Sequence, residues 1–437
     1  MMKKLAITLA VLSLLLLSAH FLRYGQWGLC FSIASFVALV FYRQAWLRWV
    51  LIVVLSVGVI VWADTWLNLV KIRMAFGQPW SRLSLIVGSV TALTAIAASL
   101  LLTERVRTFF NRDTQLAVPL AIIFGLTVLT LSFARHMASL PILLVDRFFP
   151  GWGWLQILLL GLYATWVGKK MIGNDTTSRL RPKIWGFFSL IFFAQLILGL
   201  AGVQEMLMTG KLHLPVPALI VGGPLYRGSG FFMLILFTVT VLLVGPAWCS
   251  YLCYIGAWDD YLCRRWKKRP KNLPSWLSHG RVYTLILVVA TAIALRLWGN
   301  SAGVAVASAA IFGLVGVGVM AGFSSRRGMM VHCTAYCPIG VISNLMGKIN
   351  PWRLRIDRDC NQCGACSKVC RYGALDMKNI EQRKPGLTCT LCGDCIASCK
   401  DSYIRYHFPG LDPSVARQAF LVVCITLHAA FLGVARM

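Results

Sequence analysis

The chain has 437 residues, of which 58% are hydrophobic and only 13% charged, and its mean hydropathy is +0.71. A soluble globule needs roughly a quarter of its residues charged to coat its surface, so the composition excludes one and reads as a polytopic membrane protein. The 43 Lys and Arg against 15 Asp and Glu give a formal charge of +28, but they fall in short runs between apolar stretches, where they set topology against anionic lipid rather than bind nucleic acid.

Stretches long enough to cross as helices, about 20 residues each, run near 5–22, 49–68, 83–103, 115–133, 184–205, 229–247, 281–298, 303–323 and 418–435. Two shorter ones lie at 28–42 and 152–168, which makes about eleven spans and an α-helical polytopic fold. The opening MMKKLAITLAVLSLLLLSAH has the charged start of a signal peptide, yet Leu17 ahead of Ala19 makes a poor cleavage site. An uncleaved anchor is the reading that follows.

With the N-terminus inside, the interior connections carry Arg43 and Arg48, then Arg105, Arg107 and Arg112, then Lys169, Lys170, Arg179, Arg181 and Lys183, then the run from Arg264 to Lys271. This alternation obeys the positive-inside rule, although the exterior loop with Lys71, Arg73 and Arg82 runs against it. Parity then puts 324–416 on the cytoplasmic side of a prokaryotic inner membrane. The expected organisation is an N-terminal membrane region of about six spans over 1–183, a membrane core over 184–348, a small α+β module over 349–408 and a final spanning helix over 409–437.

The core contains a weak repeat. Residues 229–258 run from an apolar span into CSYLCYIGAW, and 303–342 run from another into CTAYCPIGVI, so each copy is a span followed by C-x3-C-x-I-G. On a helix an i, i+4 pair shares one face, so Cys249 with Cys253, and Cys333 with Cys337, would each aim two thiols at one target. Their use stays open between a soft-metal site such as Cu(I), a redox-active dithiol and plain packing. Cys30, Cys263 and Cys424 have no partners in sequence and read as ordinary buried thiols.

The module holds eight of the chain's 15 cysteines in 40 residues. Cytosolic thiols stay reduced, so ligation is their expected use. Cys360, Cys363, Cys366 and Cys370 are spaced C-x2-C-x2-C-x3-C, and Cys389, Cys392, Cys395 and Cys399 repeat that spacing. This is the bacterial two-cluster ferredoxin pattern, in which the fourth cysteine of each run ligates the other cluster. The expected sets are therefore Cys360, Cys363, Cys366 and Cys399 for one 4Fe-4S cluster, and Cys389, Cys392, Cys395 and Cys370 for the second. Two structural zinc sites would need only four thiolates each, and two complete copies of this spacing fit clusters better. Arg371 and Lys400 stand where proline commonly follows the fourth cysteine. Ten basic residues against six acidic ones in the module favour an acidic redox partner and a raised cluster potential.

The apolar spans, CSYLCYIG, CTAYCPIG and the double four-cysteine module together resemble the membrane polyferredoxins of the NapH and NosR type, to which the copper-reducing oxidase-assembly protein is also similar. The family marker C-x3-C-P is present at Cys333, Cys337 and Pro338, whereas the first copy has Tyr254 in place of proline. The resemblance covers roughly 184–408. It implies electron transfer between the quinone pool and a redox partner, or delivery of electrons for assembling a metalloenzyme.

Quinol oxidation needs a proton acceptor at the membrane edge; the exterior candidates are His136, Asp146, Glu205 and His213. His332 adjoins Cys333 and reads as an interfacial histidine, while Arg296 reads as snorkelling outward. His20, His136 and His428 are scattered rather than paired at helical spacing, so no haem is expected. The leading expectation is a membrane iron-sulfur carrier exchanging electrons with quinone through two cytoplasmic clusters. A metalloenzyme assembly factor or copper reductase using the C-x3-C thiols, and a redox-sensing membrane protein, are the competing readings.

Overall fold

The computed structural model describes residues 2–434 apart from 174–175, 208–213, 267–268, 272, 275–276 and 278. Nine of its helices are long and apolar enough to cross a membrane. The two shorter stretches form the helices Trp27–Val40 and Gly153–Gly173. The chain is a helical polytopic membrane protein, and large apolar side chains such as Leu85, Phe133 and Leu314 stay exposed on its outside, as a lipid-facing surface requires. Polar side chains inside these helices bond back to their own backbone, as Thr94 does to the Val90 carbonyl and Thr127 to that of Ile123, because hydrocarbon offers no other partner.

The helices form two compact units, Met1–Lys169 and Lys170–Met437. In the first, Arg48 is buried and donates to the Leu101 and Leu102 carbonyls at 2.8 and 3.1 Å. It thus satisfies the orphan carbonyls that end the Ser81–Leu102 helix. Gly28 packs where an added Cβ would lie 2.1 Å from the Gly151 carbonyl, so only glycine lets those segments approach.

In the second unit the helix Thr177–Leu200 leads, and the break expected at 183 falls inside it. The reason is Arg181, which pairs with carboxylates of the same unit and ties the start of this helix to the core. The cysteine module is closed by a two-stranded antiparallel sheet, Arg353–Ile356 (β1) with Ile404–His407 (β2), in the register Leu354 to Tyr406. Leu354, Ile356, Ile404 and Tyr406 are buried on one face while Arg355 and Arg405 face out, the period of two that a half-buried strand needs. Since β1 and β2 flank all eight module cysteines, pairing them draws the two ends of the module together.

The module is anchored to the spans at several points. Tyr406 stacks on Phe420 of the Pro413–Val434 helix at 4.6 Å. Asn350 donates to the Val241 and Leu242 carbonyls at 3.2 and 2.7 Å, and Trp352 Nε1 to that of Leu243 at 3.0 Å. Together they satisfy the last turn of the Phe232–Val244 helix.

Candidate functional site: two thiol centres

The C-x3-C segments do not lie on α-helices. Trp248–Leu252 and His332–Tyr336 are single π-helical turns, closed by the Cys253 N–H to the Trp248 carbonyl and the Cys337 N–H to that of His332. The second cysteine of each pair is extended, with φ and ψ of −79° and 114° at Cys253 and −70° and 118° at Cys337. The expectation of two thiols on one α-helical face is corrected: the wider turn adds a residue, and the second cysteine becomes the N-cap of the helix that follows. Single π-turns of this kind concentrate at functional sites.

The following helices are Tyr254–Arg265 and Pro338–Met346, and the rest of the repeat now has a cause. A Cβ on Gly256 would lie 2.9 Å from the Cys249 carbonyl, and one on Gly340 would lie 3.0 Å from that of Cys333. The glycine of C-x3-C-x-I-G is where the new helix folds back against the first cysteine. In each copy burial pushes the second thiol up, and the backbone N–H groups of that helix counter it, those of Ile255 and Gly256 at Cys253 and of Ile339 and Gly340 at Cys337. Tyr254 in place of proline leaves this backbone unchanged and stacks on Phe192 at 4.0 Å.

In the module, the two cysteine runs fold alike. Gln362 and Gly364 have φ of 57° and 70°, and Leu391 and Gly393 have 54° and 81°. Alternating left-handed residues turn successive N–H groups inward, which builds an anion-binding concavity. A leucine in that region is uncommon and costs about 1–2 kcal/mol, so the loop is held there by what surrounds it.

Cys370, Cys389, Cys392 and Cys395 line one small cavity together with Leu354, Tyr372, Leu375 and Asp394. Burial pushes the Cys389 thiol up to about 12 and pushes Cys392, Cys395 and Cys370 up as well. Backbone N–H groups counter this at the sulfurs, including that of Ala374, 3.3 Å from Cys370 Sγ. Such a thiol set is neutral by itself and becomes thiolate when a cation compensates the burial. Three residues of the other expected set, Cys360, Cys363 and Cys366, are near enough to act on one another. Cys363 is the exposed one of the eight.

Beside the cavity lies a buried charge network. The Arg181 guanidinium is fully buried and reaches Asp394 at 3.1 Å, Asp260 at 3.5 Å and the Ser250 carbonyl at 3.1 Å. Arg264 adds a 2.8 Å bridge to Asp260 and a close one to Asp394. Burial pushes the Asp394 carboxyl up, but Arg181 and Arg264 together hold it below its ordinary range. Asp394 lies between Cys392 and Cys395, so the network clamps this cysteine loop to the helices. Ser250 and Tyr251 of the first π-turn also donate to the Thr390 and Cys392 carbonyls, at 3.0 and 3.5 Å.

The quinol candidates fare differently. Asp146 is taken up by Arg135 at 2.6 Å and by the Gly153 N–H at 2.7 Å, a structural ion pair. His136 and Glu205 are exposed, and His213 lies outside the described residues. His332 is buried rather than interfacial, with its ring 5.4 Å from Tyr336, and burial pushes it down to about 4. Arg296 donates to the Leu225 carbonyl at 3.4 Å. Cys30, Cys263 and Cys424 are buried free thiols. Missed by the sequence reading were Arg181, Asp259, Asp260, Arg281 and Asp394, although charged residues beside apolar spans are a usable signal.

The family described as a 4Fe-4S binding domain matches residues 226–272 and 309–356. These segments contain the two C-x3-C turns and end before Cys360. The chain is also similar to the candidate electron transport protein YccM of Escherichia coli (strain K12), with 25% identity over 272 residues, 56% of this chain and 71% of the relative. No solved structure matches.

Proposed function

We propose that this chain, which matches a 4Fe-4S binding domain and is similar to an electron transport protein, is a membrane 4Fe-4S electron-transfer protein that passes electrons between the quinone pool and a redox partner through two 4Fe-4S clusters in its cysteine module, on the cytoplasmic side of a prokaryotic inner membrane. The observation that carries this reading is the cavity where Cys370, from the first run, meets Cys389, Cys392 and Cys395 from the second. That crossed set is the one a two-cluster ferredoxin uses. Cys360, Cys363, Cys366 and Cys399 are assigned to the other cluster.

A bound cluster supplies one-electron transfer at a potential set by charge, hydrogen bonds and solvent exposure. The chain's own residues supply those settings. Backbone N–H groups donate to the sulfurs, Leu354 and Leu375 keep water from the inner cavity, and Arg181 brings a buried positive charge to the Cys392 side. The outer set, with Cys363 exposed, is the natural exit to a partner, and the module's excess of basic residues suits an acidic one.

Anaerobic purification with iron and sulfide counted tests the cofactor assignment; about eight iron atoms per chain are expected, four per cluster. Adding a quinol while visible absorbance is followed tests the donor. Bleaching within the mixing time supports the quinone pool, and intact clusters that stay oxidised under every quinol tried reject it.

A further inference from the structure

The second cysteine run lies in a cradle that both C-x3-C copies build. The 248–252 turn packs on the Pro338–Met346 helix of the other copy, and the 332–336 turn packs on Tyr254–Arg265 of the first. From the first copy, Ser250 and Tyr251 hold the Thr390 and Cys392 carbonyls. From the second, Asn344 Nδ2 donates to the Leu387 carbonyl and, at 3.4 Å, to that of Cys389. In each of these bonds the membrane core donates and the backbone of the cysteine run accepts.

Behind Asn344 stands Arg281, whose guanidinium donates to Asn344 Oδ1 at 3.1 Å. Its neighbour in the chain puts it there: a Cβ on Gly280 would lie 2.5 Å from the Ala335 carbonyl, so the Gly280–Leu297 helix starts directly against the 332–336 turn. Arg281 is only 5% exposed, so it does not snorkel to water. It is also the second residue of its helix, where the macrodipole is positive and a cation is disfavoured. Among the described residues no carboxylate pairs with it. Asp260 and Asp394 are taken by Arg181 and Arg264, and Asp259 Oδ2 accepts the Cys333 N–H at 3.0 Å. A buried cation without a counter-charge is strongly disfavoured, and the Asn344 carboxamide is neutral. On the far side of that carboxamide is Cys389, a wall of the inner cavity.

We propose that Arg281 and Asn344 tune the inner cluster of the module, Asn344 as the positioning residue that fixes the 387–389 segment and Arg281 as the buried charge that favours the reduced form. This rests on the cluster assignment proposed above. Four thiolates around an iron-sulfur cube give that site a net negative charge, which the guanidinium offsets across one intervening side chain. Reduction adds one electron, and with it one more negative charge; no bond forms or breaks and no proton moves. A fixed positive charge nearby therefore raises the potential. The carboxamide serves both ends, since its oxygen orients the guanidinium while its nitrogen holds the backbone beside the ligand.

The test is a redox titration with dithionite of full-length protein purified without oxygen, followed by electron paramagnetic resonance, in the native chain, Arg281→Gln, Arg281→Lys and Asn344→Ser. The inner signal is the one missing from Cys395→Ser. In Arg281→Gln the ratio of reduced to oxidised inner cluster at the native midpoint is expected to fall about 10-fold, a shift of about 59 mV to more negative potential, with the outer signal unmoved. Arg281→Lys keeps the charge and is expected to stay close to the native midpoint, whereas a purely packing role has both substitutions disturb the site alike. Asn344→Ser is expected to lose inner iron to a chelator faster than the native chain does; an unchanged rate overturns the part given to Asn344. Arg281→Met leaves no polar group buried, carries the same expectation as Arg281→Gln and replaces it if that protein fails to accumulate. Native protein with about eight iron atoms whose inner midpoint ignores the loss of the Arg281 charge overturns this inference and leaves the cluster assignment standing, as does an equal shift of both signals. Native protein without module iron overturns the cluster assignment first, and this inference with it.

Discussion

Arg181 ties the start of the 177–200 helix to the cysteine loop. It is fully buried, it faces two carboxylates, and one of them sits inside a cysteine loop. Removing one partner of a buried ion pair costs roughly 3–5 kcal/mol, because the remaining charge is left uncompensated. Arg181→Met is therefore expected to lower the thermal midpoint of the detergent-solubilised protein by several degrees and to release iron from the inner set first, as read by iron count against temperature. In protein that retains both clusters, the same change is expected to shift one cluster, and not the other, to more negative potential in a redox titration, since a positive charge has left its surroundings. Trp185 is a milder case: its Nε1 donates to the Cys253 carbonyl at 2.7 Å. Trp185→Phe is expected to cost about 1 kcal/mol for the lost bond, measured by the same unfolding assay.

At the level of elements, the unit that repeats is a π-turn, an N-cap cysteine and a helix whose third residue is glycine. The glycine is the sensitive position. A Cβ at Gly256 would meet Trp185 at 2.6 Å as well as the Cys249 carbonyl, whereas at Gly340 the close contact is the Cys333 carbonyl at 3.0 Å. Overpacking costs typically 1–3 kcal/mol, so Gly256→Ala is expected to fall at the upper end and Gly340→Ala lower, in paired melting curves. Equal effects would show that the shared carbonyl contact, and not Trp185, sets the cost. The spacing C-x3-C was legible in the sequence as a repeat, but not as a π-turn, because four residues read equally well as one turn of an α-helix. The strands β1 and β2 were legible only as a coarse α+β module, since each has four residues and the two are separated by 47 others.

For the whole molecule, the crossed assignment of cysteines makes a prediction that a sequential one does not. Cys395→Ser is expected to abolish the inner cluster and leave about four iron atoms, and Cys370→Ser, though it lies in the other run, is expected to give the same spectrum as Cys395→Ser. Cys363→Ser is expected to remove the outer cluster instead. Electron paramagnetic resonance of the reduced variants distinguishes the two patterns.

The residue order alone determined that this chain is built for lipid, where its long helices run and that two four-cysteine runs of equal spacing lie near its end, because hydrophobic length and residue spacing are local properties. Only the tertiary structure decided that Arg181 and Arg281 are buried, that the break between the two units precedes the 177–200 helix, and that the two C-x3-C turns meet. Those facts join residues tens to hundreds of positions apart. A basic residue read from its neighbours in the chain is a topology signal; what it becomes depends on whether a carboxylate, brought in from elsewhere, is there to meet its charge once water has gone.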